Sequence, residues 1–221
     1  MHRVLFVTLI AAALLIAPAA SAEMYTGLRL TGLGNSNGDL EILEDAGFYT
    51  AREFVIGFGD EIQGEFGFGY SSLSVECQDD DDDPPPERVI DADEASTSVM
   101  TFALAGFYPV MGEAGGNRLD VGLRFSYLTA KYEEKGGYYA RDDFEEEYGV
   151  SGWAIGPVMR GQWRCCNDRI GFGPEVALKY SSYTLTGEGL YWGDPWEDDD
   201  SYVKGWSLDY SLRFDFFFDP K

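Results

Sequence analysis

The side chains in this chain that could act as acids, bases or metal ligands are almost all carboxylates. The 221 residues include 39 Asp and Glu but a single histidine, His2. Imidazole is the side chain whose ordinary pKa suits proton transfer near neutral pH, and His2 lies in an N-terminal segment of the kind that is removed on export. Carboxylate pairs drawn from Glu65, Asp120, Glu175 and Asp209 leave acid–base chemistry open. We nevertheless predict that the protein is not an enzyme and carries no cofactor.

Aspartate clusters in the predicted loops are candidates for a metal site. Carboxylate oxygens are the ligands that Ca²⁺ and Mg²⁺ prefer. The clusters lack the EF-hand spacing with its central glycine, and a run of like charges is more often a solvated segment. We therefore expect a loose association with divalent cations, which could bridge to anionic lipopolysaccharide. The candidate ligands are Asp79, Asp80, Asp81, Asp82, Asp83, Asp198, Asp199 and Asp200.

Three cysteines complete the set of reactive side chains. Cys165 and Cys166 are adjacent, in a predicted short turn, whereas Cys77 lies in a predicted loop at the other end of the fold. A disulfide joins Cα atoms only about 4–7 Å apart, so Cys77 is not expected to pair with the other two. The sequence leaves open whether the adjacent pair has a redox or metal-binding role or none.

The elements that must hold these residues are β-strands. From Trp206 to Phe218 every second residue is apolar, which places the apolar set on one face of a strand and the polar set on the other. Strands in soluble sheets have about five or six residues, whereas a tilted strand crossing a bilayer needs about nine to eleven. The pattern therefore predicts the last strand of a membrane β-barrel.

Eight segments show this alternation: Tyr25–Leu33, Arg52–Gly59, Ile62–Glu76, Ser96–Tyr108, Arg118–Ala130, Tyr148–Trp163, Ile170–Leu185 and Val203–Phe218. Long connections are expected at one end, over Asn35–Ala51, Cys77–Ala95, Lys131–Glu147 and Thr186–Tyr202. The connections at the other end are shorter: Asp60–Glu61, Pro109–Asn117 and Arg164–Arg169. This rhythm is typical of an all-β, eight-stranded antiparallel up-and-down transmembrane β-barrel with short periplasmic turns and long outer loops. A soluble lipocalin-like barrel is the alternative.

One face of these segments carries ionisable residues that we expect to lie inside the barrel. Opposite charges in a narrow lumen usually neutralise one another as a packed polar core. Glycines on the same face, such as Gly67 and Gly171, could leave local water pockets. The predicted interior network comprises Arg29, Glu65, Asp120, Arg124, Glu175, Lys179, Asp209, Arg213 and Asp215.

The N-terminus predicts export. His2 and Arg3 precede an apolar run over Val4–Ala17, and Ala20-Ser21-Ala22 forms a cleavage site of small residues. We expect residues 1–22 to be removed and residues 23–221 to form one domain. Without Arg3 the mature chain has 15 basic and 39 acidic residues, a net charge of −24. Such acidity excludes nucleic acid as a partner of the charged regions and favours cations.

The signal sequence, the eight alternating segments and the final Leu212-x-Phe214-x-Phe216-x-Phe218 resemble the small outer-membrane barrels of the OmpA/OmpX type. The resemblance is architectural, and it departs from the family where Asp219-Pro220-Lys221 follow the last aromatic residue. It implies a monomer in the outer membrane of a Gram-negative-type bacterium, surrounded by lipid and lipopolysaccharide. The implied function is a structural or surface-binding role through acidic outer loops, and a narrow channel for ions or small solutes is the alternative.

Overall fold

The computed structural model describes residues 23–31, 35–36, 52–76, 91–112, 116–137, 143–191 and 194–218. Within these ranges no helix has the length and apolar character needed to cross a membrane. The described chain forms nine strands: β1 Met24–Leu30, β2 Asn35–Ser36, β3 Arg52–Phe58, β4 Gln63–Glu76, β5 Asp91–Gly112, β6 Arg118–Gly137, β7 Asp143–Cys165, β8 Ile170–Tyr191 and β9 Asp194–Phe217.

Eight of these strands close into a ring. Each strand from β3 to β8 pairs antiparallel with the next one along the chain, and β1 pairs with both β3 and β9. The two-residue β2 pairs with β9 just beyond the part that β1 covers, so it continues the same edge. The prediction of an all-β, eight-stranded antiparallel barrel is confirmed.

The pairing register fixes the width of the barrel. A path of directly paired residues that leaves β9 at Phe214 returns to β9 at Lys204, ten residues from its start. The path passes through Leu28, Phe54, Phe68, Phe102, Tyr127, Trp153 and Ser182. For eight strands this stagger gives a tilt of about 40° and a backbone radius of about 8 Å. Such a lumen has room for side chains and little else.

The strands on one side are longer than the sequence predicts. Strands β5 to β9 have 20 to 24 residues each, about twice what a bilayer requires. The expected long loops over Lys131–Glu147 and Thr186–Tyr202 are therefore wrong: five residues, 138–142, separate β6 from β7, and residues 192–193 separate β8 from β9. Charged residues are depleted in soluble strands, which is why these acidic segments read as loops. The ladder tolerates them because their backbone groups are paired.

The outer surface divides at one level into an apolar and a polar part. Alternate residues point outward, and on β6 to β9 the outward positions are mostly apolar from the inner turns as far as Tyr127, Trp153, Tyr180 and Trp206. The next outward positions are Thr129, Ser151, Ser182 and Lys204. Large aromatic and aliphatic side chains of the first group are exposed, for example Leu123 at 56% and Phe214 at 44%. The barrel thus has an apolar belt, and strands β5 to β9 extend beyond this belt by roughly its own height.

Candidate functional site

The inner half of the lumen, on the side of the short turns, is filled by ionisable side chains in equal numbers of each sign. Six guanidinium groups and six carboxylates are buried there. We call this set the charged layer. Its members are Arg29, Arg118, Arg124, Arg160, Arg164, Arg213, Glu23, Glu53, Glu65, Asp120, Glu175 and Asp215.

Glu65 on β4 is the centre of the charged layer, because four guanidinium groups converge on its carboxylate. Arg29 on β1 contacts Oε1, and Arg213 Nη1 on β9 lies 2.5 Å from Oε2. Arg160 Nη1 on β7 is 3.3 Å from Oε2, and Arg124 Nη2 on β6 is 3.7 Å from Oε1. Residues from five of the eight strands therefore meet at one group, and several of these contacts cross the lumen.

Two further carboxylates extend the charged layer. Asp120 accepts hydrogen bonds from Arg160 Nη2 at 2.6 Å and Nε at 2.9 Å, and from Arg118 Nε at 3.0 Å. Glu175 accepts a hydrogen bond from Arg124 Nη1 at 2.6 Å and lies 3.1 Å from Arg29 Nε. Asp120 is shared between two guanidiniums and Glu175 among three, since Arg213 Nη1 also lies 3.6 Å from Glu175 Oε2. The layer is therefore a continuous network and not a set of separate pairs.

The inner end of the lumen is closed by one bidentate ion pair. Both terminal nitrogens of Arg164 donate to the carboxylate of Glu23 at 2.6 Å. The guanidinium of Arg164 also stacks over the Phe217 ring, with its Cζ 3.6 Å from the ring centroid. The carboxylate neutralises the charge of the arginine, and the aromatic ring packs against the flat face of its guanidinium. This pair forms the floor of the barrel.

Inward-facing glycines do not leave the water pockets that the sequence suggested. A Cβ added to Gly57 would lie 2.0 Å from the Tyr25 ring, and one added to Gly27 would lie 2.2 Å from Asp215 Oδ1. At Gly171 the Phe217 ring would be 2.9 Å away. The missing side chains are what allow long arginines and aromatic rings to fit within a lumen of this radius.

A second, apolar layer lies further out in the lumen. Its buried members are Val99, Ala130, Val150 and Val203, on β5, β6, β7 and β9, and Leu128, Tyr132, Tyr183 and Leu185 pack against them. Between the two layers, Lys179 pairs with Asp209, and both side chains are partly exposed. From the inner end outward, the lumen is therefore filled by charged side chains and then by apolar ones.

Inside the barrel, carboxylates without a basic partner appear only above the apolar layer, in the portion of the chain that the structure describes. Tyr132 and Tyr148 face each other on β6 and β7, and their hydroxyls donate to Glu134 at 2.7 Å and Glu146 at 2.9 Å. Partial burial and the Glu134 carboxylate raise the pKa of Tyr132 to about 12. We call these four residues the mouth cluster. Its two glutamates are direct cross-strand neighbours of like charge, a destabilising arrangement that a cation would relieve.

The structure places the sequence-predicted network residues in two groups. Lys179 and Asp209 form the separate pair described above, whereas the other seven belong to the charged layer. The predicted network did not include Glu23, Glu53, Arg118, Arg160 and Arg164. The same alternation could have identified these residues as inward-facing. Arg160, for example, lies two residues after the inward-facing Val158. The seven found are Arg29, Glu65, Asp120, Arg124, Glu175, Arg213 and Asp215.

The predicted metal ligands are not brought together by any described contact. Asp79–Asp83 lie outside the described residues. Asp198–Asp200 are part of β9, but only their backbone is described. Among the described residues no group of three or more His, Cys, Asp and Glu is arranged to hold a metal ion. Cys165 and Cys166 are free thiols.

Comparison with protein-family models and with curated proteins finds no match. Solved structures of outer-membrane proteins are among those that resemble the chain. One is a major outer membrane protein from Thermus thermophilus, at 12% identity and a TM-score of 0.45, covering 90% of this chain and 100% of that one. Another is CarO of Acinetobacter baumannii, at 10% identity and a TM-score of 0.38, covering 89% and 97%. At this similarity they establish neither a family nor an activity for this chain.

We expect Asp120→Asn and Arg160→Gln each to destabilise the folded barrel by about 3–5 kcal/mol, because each removes the closest counter-charge of a buried ion. The double variant should lose clearly less than the sum of the two. Urea unfolding in phospholipid vesicles measures all three free energies. The control is Lys179→Met in the partly exposed pair with Asp209, which should cost under about 1 kcal/mol. Additive losses in the double variant would contradict direct pairing.

Proposed function

We propose that this protein is an outer-membrane β-barrel with a closed lumen, which acts as a structural and surface-binding protein through an acidic outer end. The observation that carries the proposal is the charged layer. It holds six carboxylates against six guanidiniums, so it has no surplus charge to attract a solute. The working surface is then the part of the barrel that extends beyond the apolar belt.

The apolar belt supports a membrane location. A bilayer-spanning barrel presents an outward apolar band about 25 Å tall with aromatic residues at both edges. At about 2.5 Å of axial rise per tilted residue, the outward residues from Phe218 to Trp206 on β9 span about 30 Å. Near one edge of the belt, the rings of Trp163 and Phe172 contact each other. At the other edge, the ring of Tyr180 contacts those of both Trp153 and Trp206. In a soluble lipocalin-like barrel these side chains would be exposed to water, which disfavours that alternative.

The two lumen layers favour a closed barrel over a channel. Arginines of the charged layer meet Glu65 from four strands, and Phe107 stacks on the Arg160 guanidinium with 3.9 Å between Cζ and the ring centroid. An ion passing through would have to break several buried ion pairs at once, each worth several kcal/mol in a low-dielectric interior. It would then have to cross the apolar layer.

The outer end is acidic because its carboxylates outnumber its basic side chains. Lys131 bridges Glu133 and Glu147 on the outer surface, and these contacts raise the pKa of the lysine. Glu134 and Glu146 of the mouth cluster have no basic partner among the described residues. The surface therefore suits divalent cations, cationic partners, and lipopolysaccharide phosphates bridged by such cations. A role for Asp79–Asp83 in the same association remains a prediction.

Leu123→Arg tests the lipid face. Leu123 is exposed midway between Leu119 and Tyr127, the outward residues that bound the belt on β6, and a charge there should cost about 2–4 kcal/mol. The matched control is Thr129→Arg, at the outward position of the same strand beyond the belt, which should cost about 0–1 kcal/mol. Urea unfolding in vesicles measures both, and heat-modifiable gel migration verifies insertion. Equal effects of the two changes would rule out the proposed membrane position.

Single-channel recording tests the closed lumen. The purified protein, reconstituted into planar bilayers after its heat-modifiable migration is verified, should give no stable unitary conductance. A general porin inserted under the same conditions is the positive control. Reproducible conductance steps that scale with protein concentration would replace this proposal with the channel alternative.

Glu134→Gln combined with Glu146→Gln tests the acidic outer end. The double variant should bind Ca²⁺ in detergent micelles at least several-fold more weakly than the wild type, with a difference that shrinks as salt increases. Glu61→Gln, in the exposed turn at the opposite end, is the control for a lost carboxylate and should leave binding unchanged. Titration calorimetry measures all three. Unchanged binding by the double variant would show that the mouth cluster is not a cation site.

A further inference from the structure

The turn between β7 and β8 presents two adjacent thiols to solvent at the inner end of the barrel. Cys165 is the last residue of β7 and pairs with Ile170, the first residue of β8. Cys166 is the first residue of the turn, and both cysteines are free and exposed. No contact in the charged layer uses either thiol, so their presence is not explained by the packing of the barrel.

The backbone on both sides of the two cysteines is held firmly. On one side, Arg164 is fixed by its bidentate pair with Glu23, and its N–H donates to Asn117 Oδ1 at 2.9 Å. On the other side, the Phe217 N–H donates to the carbonyl of Arg169 at 2.9 Å. The backbone on either side of the thiols is therefore held in place by hydrogen bonds.

The two thiols are in contact with each other. The hydrogen bond between the side chains of Cys165 and Cys166 raises the pKa of the Cys165 thiol. Cys166 has a φ of 55°, and Asn167 and Asp168, with φ values of 57° and 60°, lie in the same left-handed region. The turn therefore holds Cys166 in a backbone conformation that residues other than glycine rarely adopt.

Cys77 lies outside the described residues. Glu76, which precedes it in the sequence, is the last residue of β4, and β4 begins at Gln63, next to the turn that shares the inner end with Cys165. The fourteen residues of β4 span about 45 Å along the strand, whereas a disulfide requires Cα atoms within about 7 Å. Among the described residues of one chain, Cys165 and Cys166 can pair only with each other.

We propose that Cys165 and Cys166 form a reversible dithiol site that closes to a vicinal disulfide by exchange with a disulfide-bearing exported oxidant. The inference rests on the proposed function only in placing the turn in the periplasm, an oxidising compartment. One thiol loses its proton and attacks a sulfur of the oxidant, which forms a mixed disulfide and releases one thiolate of the oxidant. The second thiolate then displaces the other sulfur of the oxidant. The barrel gains a disulfide, the oxidant becomes a dithiol, and each released thiolate takes up a proton.

The test uses the full chain with Cys77→Ser, folded in detergent micelles and verified by heat-modifiable migration. Treatment with oxidised glutathione should remove both maleimide-reactive thiols, give a monomer whose intact mass is lower by two hydrogens, and be reversed by dithiothreitol. The control variants add Cys165→Ser or Cys166→Ser. Each should keep a single thiol, which ends as a mixed disulfide with glutathione.

Other outcomes overturn the proposal. If the two-cysteine protein ends with glutathione on either residue, as a covalent dimer, or with both thiols still free, the pair is not a closing dithiol site. The verified heat-modifiable migration keeps this result separate from the membrane proposal, which fails only in the vesicle and bilayer measurements.

Discussion

Mutual neutralisation of arginines and carboxylates inside a narrow ring is the interaction on which the rest of this structure depends. A charge buried away from water is costly unless it is paired and hydrogen-bonded. The six arginines and six acids of the charged layer meet that condition, with Glu65 shared among four guanidiniums. Because the partners come from different strands, the layer ties opposite walls of the barrel together. The same contacts that hold the ring closed also occupy its lumen.

The stagger of ten residues around eight strands makes this layer possible. It sets a radius of about 8 Å, at which arginines from strands three places apart can reach one carboxylate. The radius leaves little spare volume in the lumen, and the inward glycines leave room there for the larger side chains of their neighbours. Gly57 and Gly27 lie where a methyl group would collide with Tyr25 and Asp215. Register, glycine placement and charge pairing are therefore parts of one packing solution.

The two halves of the barrel follow different electrostatic rules because they face different surroundings. In the belt, outward positions are apolar and the inward charges are matched. Beyond it, outward positions carry Lys131, Glu133 and Glu147, and inward positions carry the unmatched glutamates of the mouth cluster. Water and counterions can screen such charges only outside the lipid. The surplus negative charge of the chain is thereby kept where it costs least, at the outer end that we propose as the binding surface.

The sequence by itself determined the strand count, the two faces of each strand and the signs of the interior residues. Alternation is a local property: the backbone turns successive side chains to opposite sides, so Phe214 and Arg213 are separated whatever the partners. Which acid meets which arginine was decided by the tertiary structure, because register and tilt bring β4, β7 and β9 to one point and no local pattern encodes that meeting. Strand length beyond the belt was also a tertiary outcome. The acidic segments around Glu145 and Glu197 resemble loops in isolation, yet the ladder of β7, β8 and β9 holds them extended, since each pairs with a neighbouring strand in a register that the sequence alone does not reveal.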